Sequence, residues 1–271
     1  MTEQPKLSDV TLTMIVRDEL MNPAGGLLPM LEYHLPHFPE TVVLDTGSVD
    51  GTRQLLEHMA GEYPQLKVYD AKFEGYGYAR MTANRYVTMP YTFMLDADER
   101  LEGINSFVEW WENIKDEEKT LLLGVNFRFK NVHWNGPSKG GTGWNPRLAL
   151  QAKVNFWNKP LGELSTLMSS PSLSLSDQKI FHFLYRNSST DFMSLSSDPK
   201  VQDWYTHFDH YLHEGTAPSR LPNFFYWKVP NPRSLEIYGI NIFSVLARLQ
   251  QLGLKPQSTI VEELYKLGDS K

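Results

Sequence analysis

The chain has 271 residues, a net charge of −6, 41% hydrophobic and 13% aromatic residues, and no cysteine. That length and apolar content supply a real core and exclude wholesale disorder, and the acidic balance argues against a dedicated nucleic-acid binder. Disulfides, thiolate zinc sites and cysteine nucleophiles are excluded outright, which fits a reducing compartment. Met1 to Asp9 is polar, with no apolar segment of the kind a signal peptide needs. No apolar run approaches transmembrane length. The expectation is a cytoplasmic protein, at most peripheral at the inner membrane surface.

Val10 to Val16 is β-branched and apolar and breaks at Arg17-Asp18-Glu19, so it predicts a buried strand with a charged end. Asn22 to Gly26 reads as a loop, and Leu27 to Leu35 as a helix. Thr41 to Leu44 is a short second strand that ends at Asp45-Thr46-Gly47-Ser48. Asp50 or Thr52 is expected to cap a helix carrying Leu55, Leu56 and Met59. Leu66 to Tyr69 is a third strand, and Tyr78 to Met89 a helix. Thr92 to Leu95 is a fourth strand, running straight into Asp96-Ala97-Asp98. Strands alternating with helices predict a largely parallel sheet, in which ligands bind at the carboxyl ends of the strands. Three such ends finish here in charge: Arg17-Asp18, Asp45, and Asp96 with Asp98.

The style changes after Asp98. Phe107 to Ile114 reads as a helix, and Leu121 to Phe129 and Leu148 to Val154 as strands around a Gly-rich loop. From Lys119 to Gly162 there is no acidic residue, against seven Lys or Arg interleaved with aromatics such as Phe127, Trp134, Trp144 and Trp157. This is either the solvated face of an antiparallel ribbon or a surface for sugars and phosphates. Ser165 to Asp177 reads as a loop, Ile180 to Tyr185 as a strand containing His182, and Asp203 to His213 as a helix. Phe224 to Trp227 is expected to form a buried packing or homodimer contact. Two helices are expected to close the chain, about Leu235 to Leu252 and Thr259 to Leu267, the second opened by a Thr259–Glu262 capping box.

Asp96 and Asp98 leave one face of a strand end, where two anions repel unless a cation sits between them. Hard oxygen ligands of this kind suit Mg²⁺ or Mn²⁺. Taken alone, Asp45-Thr46-Gly47 matches an aspartic protease signature, but that fold needs two such segments and only one exists. The Asp96-Ala97-Asp98 pair also resembles that of haloacid-dehalogenase phosphatases. Their pattern wants Thr or Val where Arg100 stands, and it usually opens the chain.

Taken together, Thr11 to Glu19, Val42 to Thr52 (Val-Val-Leu-Asp-Thr-Gly-Ser-Val-Asp-Gly-Thr), Ala79-Arg80 and Phe93 to Leu101 (Phe-Met-Leu-Asp-Ala-Asp-Glu-Arg-Leu) resemble glycosyltransferase family 2. Asn145 to Leu148, Pro160 to Glu163 and His182 extend the resemblance more loosely. It implies an α/β fold of GT-A type: a Rossmann-like, mostly parallel sheet with a small antiparallel ribbon and a C-terminal helical extension. Residues 1–215 would be the catalytic domain, with the nucleotide-sugar half at 1–101 and the acceptor half at 102–215, and residues 216–271 the extension. The resemblance further implies a metal-dependent, inverting transfer of one sugar from a UDP-linked donor to an acceptor hydroxyl. Asp45 would read the base, beside Arg17. Arg80 would lie near the donor. Asp96 would face the ribose or a metal-bound water, and Asp98 would hold the Mn²⁺ or Mg²⁺ on the diphosphate. Glu163 would be the general base, although Gly162 stands where related sequences carry His. His182 would approach the metal. The acceptor stays open among glycan, lipid-linked glycan, protein or another polyanion. The alternative from a different class is a module that binds a nucleotide sugar without turning it over.

Overall fold

The computed structural model describes residues 5–22, 24–122, 124–133, 136–137, 143–159, 162–165, 173–184 and 235–254. Among these, nine strands form one sheet. Its path runs β3 (Leu66–Asp70), β2 (Glu40–Asp45), β1 (Val10–Val16), β4 (Tyr91–Met94), β8 (Trp144–Leu150), β6 (Gly124–His133), β11 (Leu173–Leu184) and β5 (Glu99–Glu102), with β7 (Gly136–Pro137) beside β6. The first four strands are parallel, in the order βαβ units impose. Val10–Val16 and Glu40–Asp45 are buried along almost their whole length, the continuous apolar pattern of strands covered on both faces. Beyond β4 the pairing turns antiparallel at β8, β6 and β5, with one further parallel pair, β6 with β11. A separate antiparallel ribbon joins β9 (Phe156–Lys159) to β10 (Gly162–Ser165).

Helices α1 (Leu27–His34) and α4 (Ile104–Asn113) contribute Leu27, Leu28, Leu31, Phe107 and Trp111 to the main core. There Phe93 stands edge-on to Phe38, Phe107 and Phe127, with ring centroids 5.1–5.9 Å apart. Helix α3 (Tyr76–Arg85) sets Ala79 and Ala83 against Leu44 and Ile15. Helix α2 (Thr52–Glu62) packs beside β3 and buries Leu55, Leu56 and Met59.

Several predicted bounds move. A helix, α5 (Asp116–Leu121), precedes β6 and takes the residues from which that strand was expected to start. β11 begins at Leu173, inside the stretch expected to be a loop. β5 was not anticipated, because four charged or bulky residues after the acidic pair show no clean alternation. The closing helix α6 (Ile242–Gln251) starts seven residues later than expected, where the Asn241 carboxamide accepts from the backbone N–H groups of Phe243 and Ser244. Leu235, Ile240, Ile242, Leu246 and Leu249 join the same core as β1 and α1. The expected helices at 203–213 and 259–267, and Phe224 to Trp227, lie outside the described residues.

Candidate active site

Parallel register brings the charged strand ends to one rim. Val16 pairs with Asp45, Asp45 with Asp70, and Thr13 with Met94. Arg17, Asp45 and Asp96 therefore leave the carboxyl ends of neighbouring strands, where the predicted parallel topology put them.

Asp45 is 2% exposed. Its Oδ1 accepts the backbone N–H groups of Gly47 and Ser48, each at 2.7 Å. Its Oδ2 is buried with no hydrogen-bond partner among the described residues. One oxygen is thus fixed by the turn, which allows Gly47 its φ of 105°, and the other is a buried acceptor lacking a donor. Arg17, also buried, carries its guanidinium 5.9 Å from the Phe73 ring centroid.

The loops after β1 and β2 are laced together. The Asp18 N–H donates to Ser48 Oγ, and the Val49 N–H to Asp18 Oδ1. Asp50 Oδ2 accepts the Leu20 N–H, and its Oδ1 accepts both the N–H and the hydroxyl of Thr52. Gly51, in the left-handed region, holds the N-cap position expected for Asp50 or Thr52. Asp50 still binds the first helical N–H, while its second oxygen ties the helix to the neighbouring loop.

Around the acidic pair, Arg80 sits on α3, 4% exposed, and donates to Asp96 Oδ1 and to the Leu95 carbonyl, the latter at 3.3 Å. Arg147 Nη2, from β8, lies 3.5 Å from Asp96 Oδ2 and 2.5 Å from Glu99 Oε1. Glu99, 1% exposed, accepts the Asp96 N–H through Oε2 at 2.9 Å and returns its own N–H to the Asp96 carbonyl at 3.1 Å. Asn22 completes the frame. Its carboxamide nitrogen donates to the Ala97 carbonyl at 2.8 Å, and its Oδ1 accepts from Ala24 and Gly26. The backbone between the two aspartates is thereby pinned to the loop after β1.

Glu19 lies on that loop. Enclosure of its carboxyl pushes its pKa well above the usual carboxylate range, and Asp98 pushes the same way, while a hydrogen bond from Asn22 opposes both. Among the described residues no three His, Asp or Glu side chains converge to hold a metal by themselves. A single carboxylate such as that of Asp98 is a partial protein ligand of the kind Mg²⁺ accepts when phosphate oxygens complete the shell.

Glu163 and His182 are placed by their backbones. Glu163 pairs with Asn158 in the β9–β10 ribbon, which packs against α3, the helix that carries Arg80. His182 pairs with Glu99 on β5 and with Asn131 on β6, one residue beyond Asp98 in register.

The model of Glycosyl transferase family 2 matches residues 35–166. That stretch, just under half of the chain, is similar to glycosyltransferase family 2. The sheet is mixed, with parallel strands from β3 to β4 and mostly antiparallel pairing beyond. No curated protein matches the sequence. Among solved structures, the chain is similar to S. aureus TarS, at 18% identity over 49% of this chain and 23% of that one, with a TM-score of 0.37. It is similar to TarS 1-349 in complex with UDP-GlcNAc, at 18% identity over 49% of this chain and 37% of that one, with a TM-score of 0.36. It is also similar to the mannosyltransferase PcManGT from Pyrobaculum calidifontis in complex with GDP-Man and Mn²⁺, at 14% identity over 99% of this chain and 82% of that one, with a TM-score of 0.48. The chain spans about a quarter of the length of TarS.

Residues that sequence reasoning missed are Asn22, Glu99 and Arg147, together with the carboxyl of Glu19. Asn22 reads as loop punctuation and Glu99 as part of an acidic turn. Only the Asn145-Pro146-Arg147-Leu148 resemblance pointed toward Arg147.

Proposed function

We propose that this chain transfers one sugar from a nucleoside-diphosphate sugar, UDP-linked, to an acceptor hydroxyl, with inversion at the anomeric carbon and with a divalent ion at Asp98. The observation that carries the reading is the Asp45 carboxylate. It is rigidly held, its Oδ2 is buried without a donor among the described residues, and it shares the strand-end rim with the Arg80–Asp96 pair. A buried acceptor lacking a donor is costly unless a ligand supplies one. The imide N–H of uracil is such a donor, and Arg17 beside Phe73 offers a flat cationic wall for the base.

From that anchor the donor's diphosphate would run along the rim toward Asp96 and Asp98. Arg80, fixed by Asp96 and the Leu95 carbonyl, presents positive charge to the departing nucleoside diphosphate. Asp98, with His182 on the strand paired to β5, would hold Mn²⁺ or Mg²⁺, which when bound would add charge stabilisation for that leaving group. Glu163 takes the proton of the attacking hydroxyl, a role worth roughly 10²–10⁴-fold. The acceptor is held by residues 119–165, where exposed Arg128 and Trp144 pair across β6 and β8, and by the C-terminal segment.

Calorimetry with UDP, on wild type and Asp45→Ala, tests the base assignment. Loss of one charge-assisted hydrogen bond, about 1.5–3 kcal/mol, should weaken UDP binding roughly 10- to 10²-fold. Equal affinity in the two proteins would reject Asp45 as the base-reading group.

A further inference from the structure

Arg147 stands on β8, outside the loops that carry the donor residues, yet it touches two of the rim's carboxylates at once. Its Nη2 lies 2.5 Å from Glu99 Oε1 and 3.5 Å from Asp96 Oδ2. Its guanidinium carbon is 4.9 Å from the Phe129 ring centroid, and the side chain is 14% exposed. Stacked on one side and salt-bridged on the other, this planar group has little freedom.

Arg80 takes the other oxygen of Asp96. The Asp96 carboxylate is thus bracketed by two guanidinium groups, one from the helix over the parallel strands and one from the antiparallel half of the sheet. Glu99 closes the ring through the Asp96 N–H and carbonyl. Two things follow. The charge of Asp96 is matched by cations of the protein itself, so attraction for a divalent ion falls chiefly on Asp98. The orientation of Asp96, and through it of Arg80, depends on a side chain from the adjacent antiparallel strand β8.

We propose that Arg147 is a positioning residue for the transfer step, holding Asp96 and thereby Arg80 in line with the departing diphosphate. This deepens the donor-site reading above and rests on it. A residue that only neutralised buried Glu99 would have no need to sit in ion-pair range of Asp96, which is 40% exposed on the rim. A displacement of the reacting groups by about 1 Å can lower a rate about 10²-fold.

Arg147→Met alone strands the Glu99 carboxylate in the interior, so the test pairs it with Glu99→Gln, which removes both charges together. The expected result is a double variant with near-wild-type Tm but with kcat for donor turnover lowered about 10²-fold at little-changed donor KM. Recovery of both Tm and kcat would mean that Arg147 serves only Glu99, and would overturn the proposal. If the double variant folds poorly, Arg147→Lys decides. It keeps a charge beside Glu99 but cannot span both carboxylates in a fixed plane, so kcat should fall at unchanged Tm, and full activity would overturn the proposal. A wild-type protein that turns over no nucleotide sugar would reject the donor-site reading itself and this assignment with it, a result readily told apart from an active wild type with an active double variant.

Discussion

His34 ties the acidic turn to the rest of the fold, and its protonation should loosen that tie. It is fully buried at the end of α1. Nδ1 donates to the Met30 carbonyl at 2.7 Å, which leaves Nε2 to accept the Leu101 N–H at 3.2 Å. Leu101 belongs to β5, the strand that leaves Asp96 and Asp98, and its carbonyl accepts from the Tyr33 hydroxyl. Burial lowers the His34 pKa from 6.5 to about 3; the Met30 carbonyl opposes the shift and Arg100 adds to it. The folded state therefore binds fewer protons than the unfolded chain between those two values. Stability from this group is fully present above the unfolded pKa and is lost as pH falls toward 3. At about pH 5 the loss is ~2 kcal/mol, from 1.36 kcal/mol per unit over roughly 1.5 units. Glu19 has the opposite sign, because its carboxyl is raised in the folded state, so the effect is read as a difference between proteins. Urea denaturation of wild type and His34→Gln, at about pH 7.5 and about pH 5, gives it. Wild type should lose ~2 kcal/mol more than the variant over that interval. Equal pH dependence in the two proteins would refute the reasoning.

Two further outcomes follow from the same frame. A methyl group added at Gly26 would meet the Leu20 carbonyl oxygen at 2.4 Å, at a backbone φ of +100°. Gly26→Ala should therefore lower Tm and weaken UDP binding together, because the loop bearing Glu19 and Asn22 must shift; differential scanning fluorimetry with and without UDP reads both. Arg100 stacks its guanidinium 3.8 Å from the Tyr33 ring centroid and donates to the Tyr238 carbonyl. Arg100→Ala should destabilise the fold by about 1–3 kcal/mol and raise amide exchange first in α6, and hydrogen exchange unchanged there would count against the staple.

The parallel half of the sheet was legible because its signals are local. An apolar run broken by charge marks each parallel strand, and the glycine and aspartate spacing in Asp45 to Thr52 fixes the turn that holds the Asp45 carboxylate. The bracket around Asp96 was not legible. Glu99 and Arg147 meet across 48 residues of sequence, through an antiparallel pairing of β4 with β8 that no local pattern announces. Arg100 shows the reverse error of local reading. In sequence it looked like a departure from a catalytic pattern, and in the fold it fastens the C-terminal segment. The start of α6 moved for a simpler reason, since Asn241 offers the backbone a side-chain acceptor that the apolar period alone does not reveal.

The central claim is tested most directly by comparing wild type with Asp98→Ala in a nucleotide-sugar hydrolysis assay across UDP-linked donors, with Mn²⁺ added and with chelator. Wild type should turn over at least one donor in the presence of the ion, and Asp98→Ala should lose about 10²-fold or more of that rate while keeping its fold. Wild-type turnover in Asp98→Ala, or full activity of the wild type under chelation, would contradict a divalent ion held by Asp98 against the departing diphosphate.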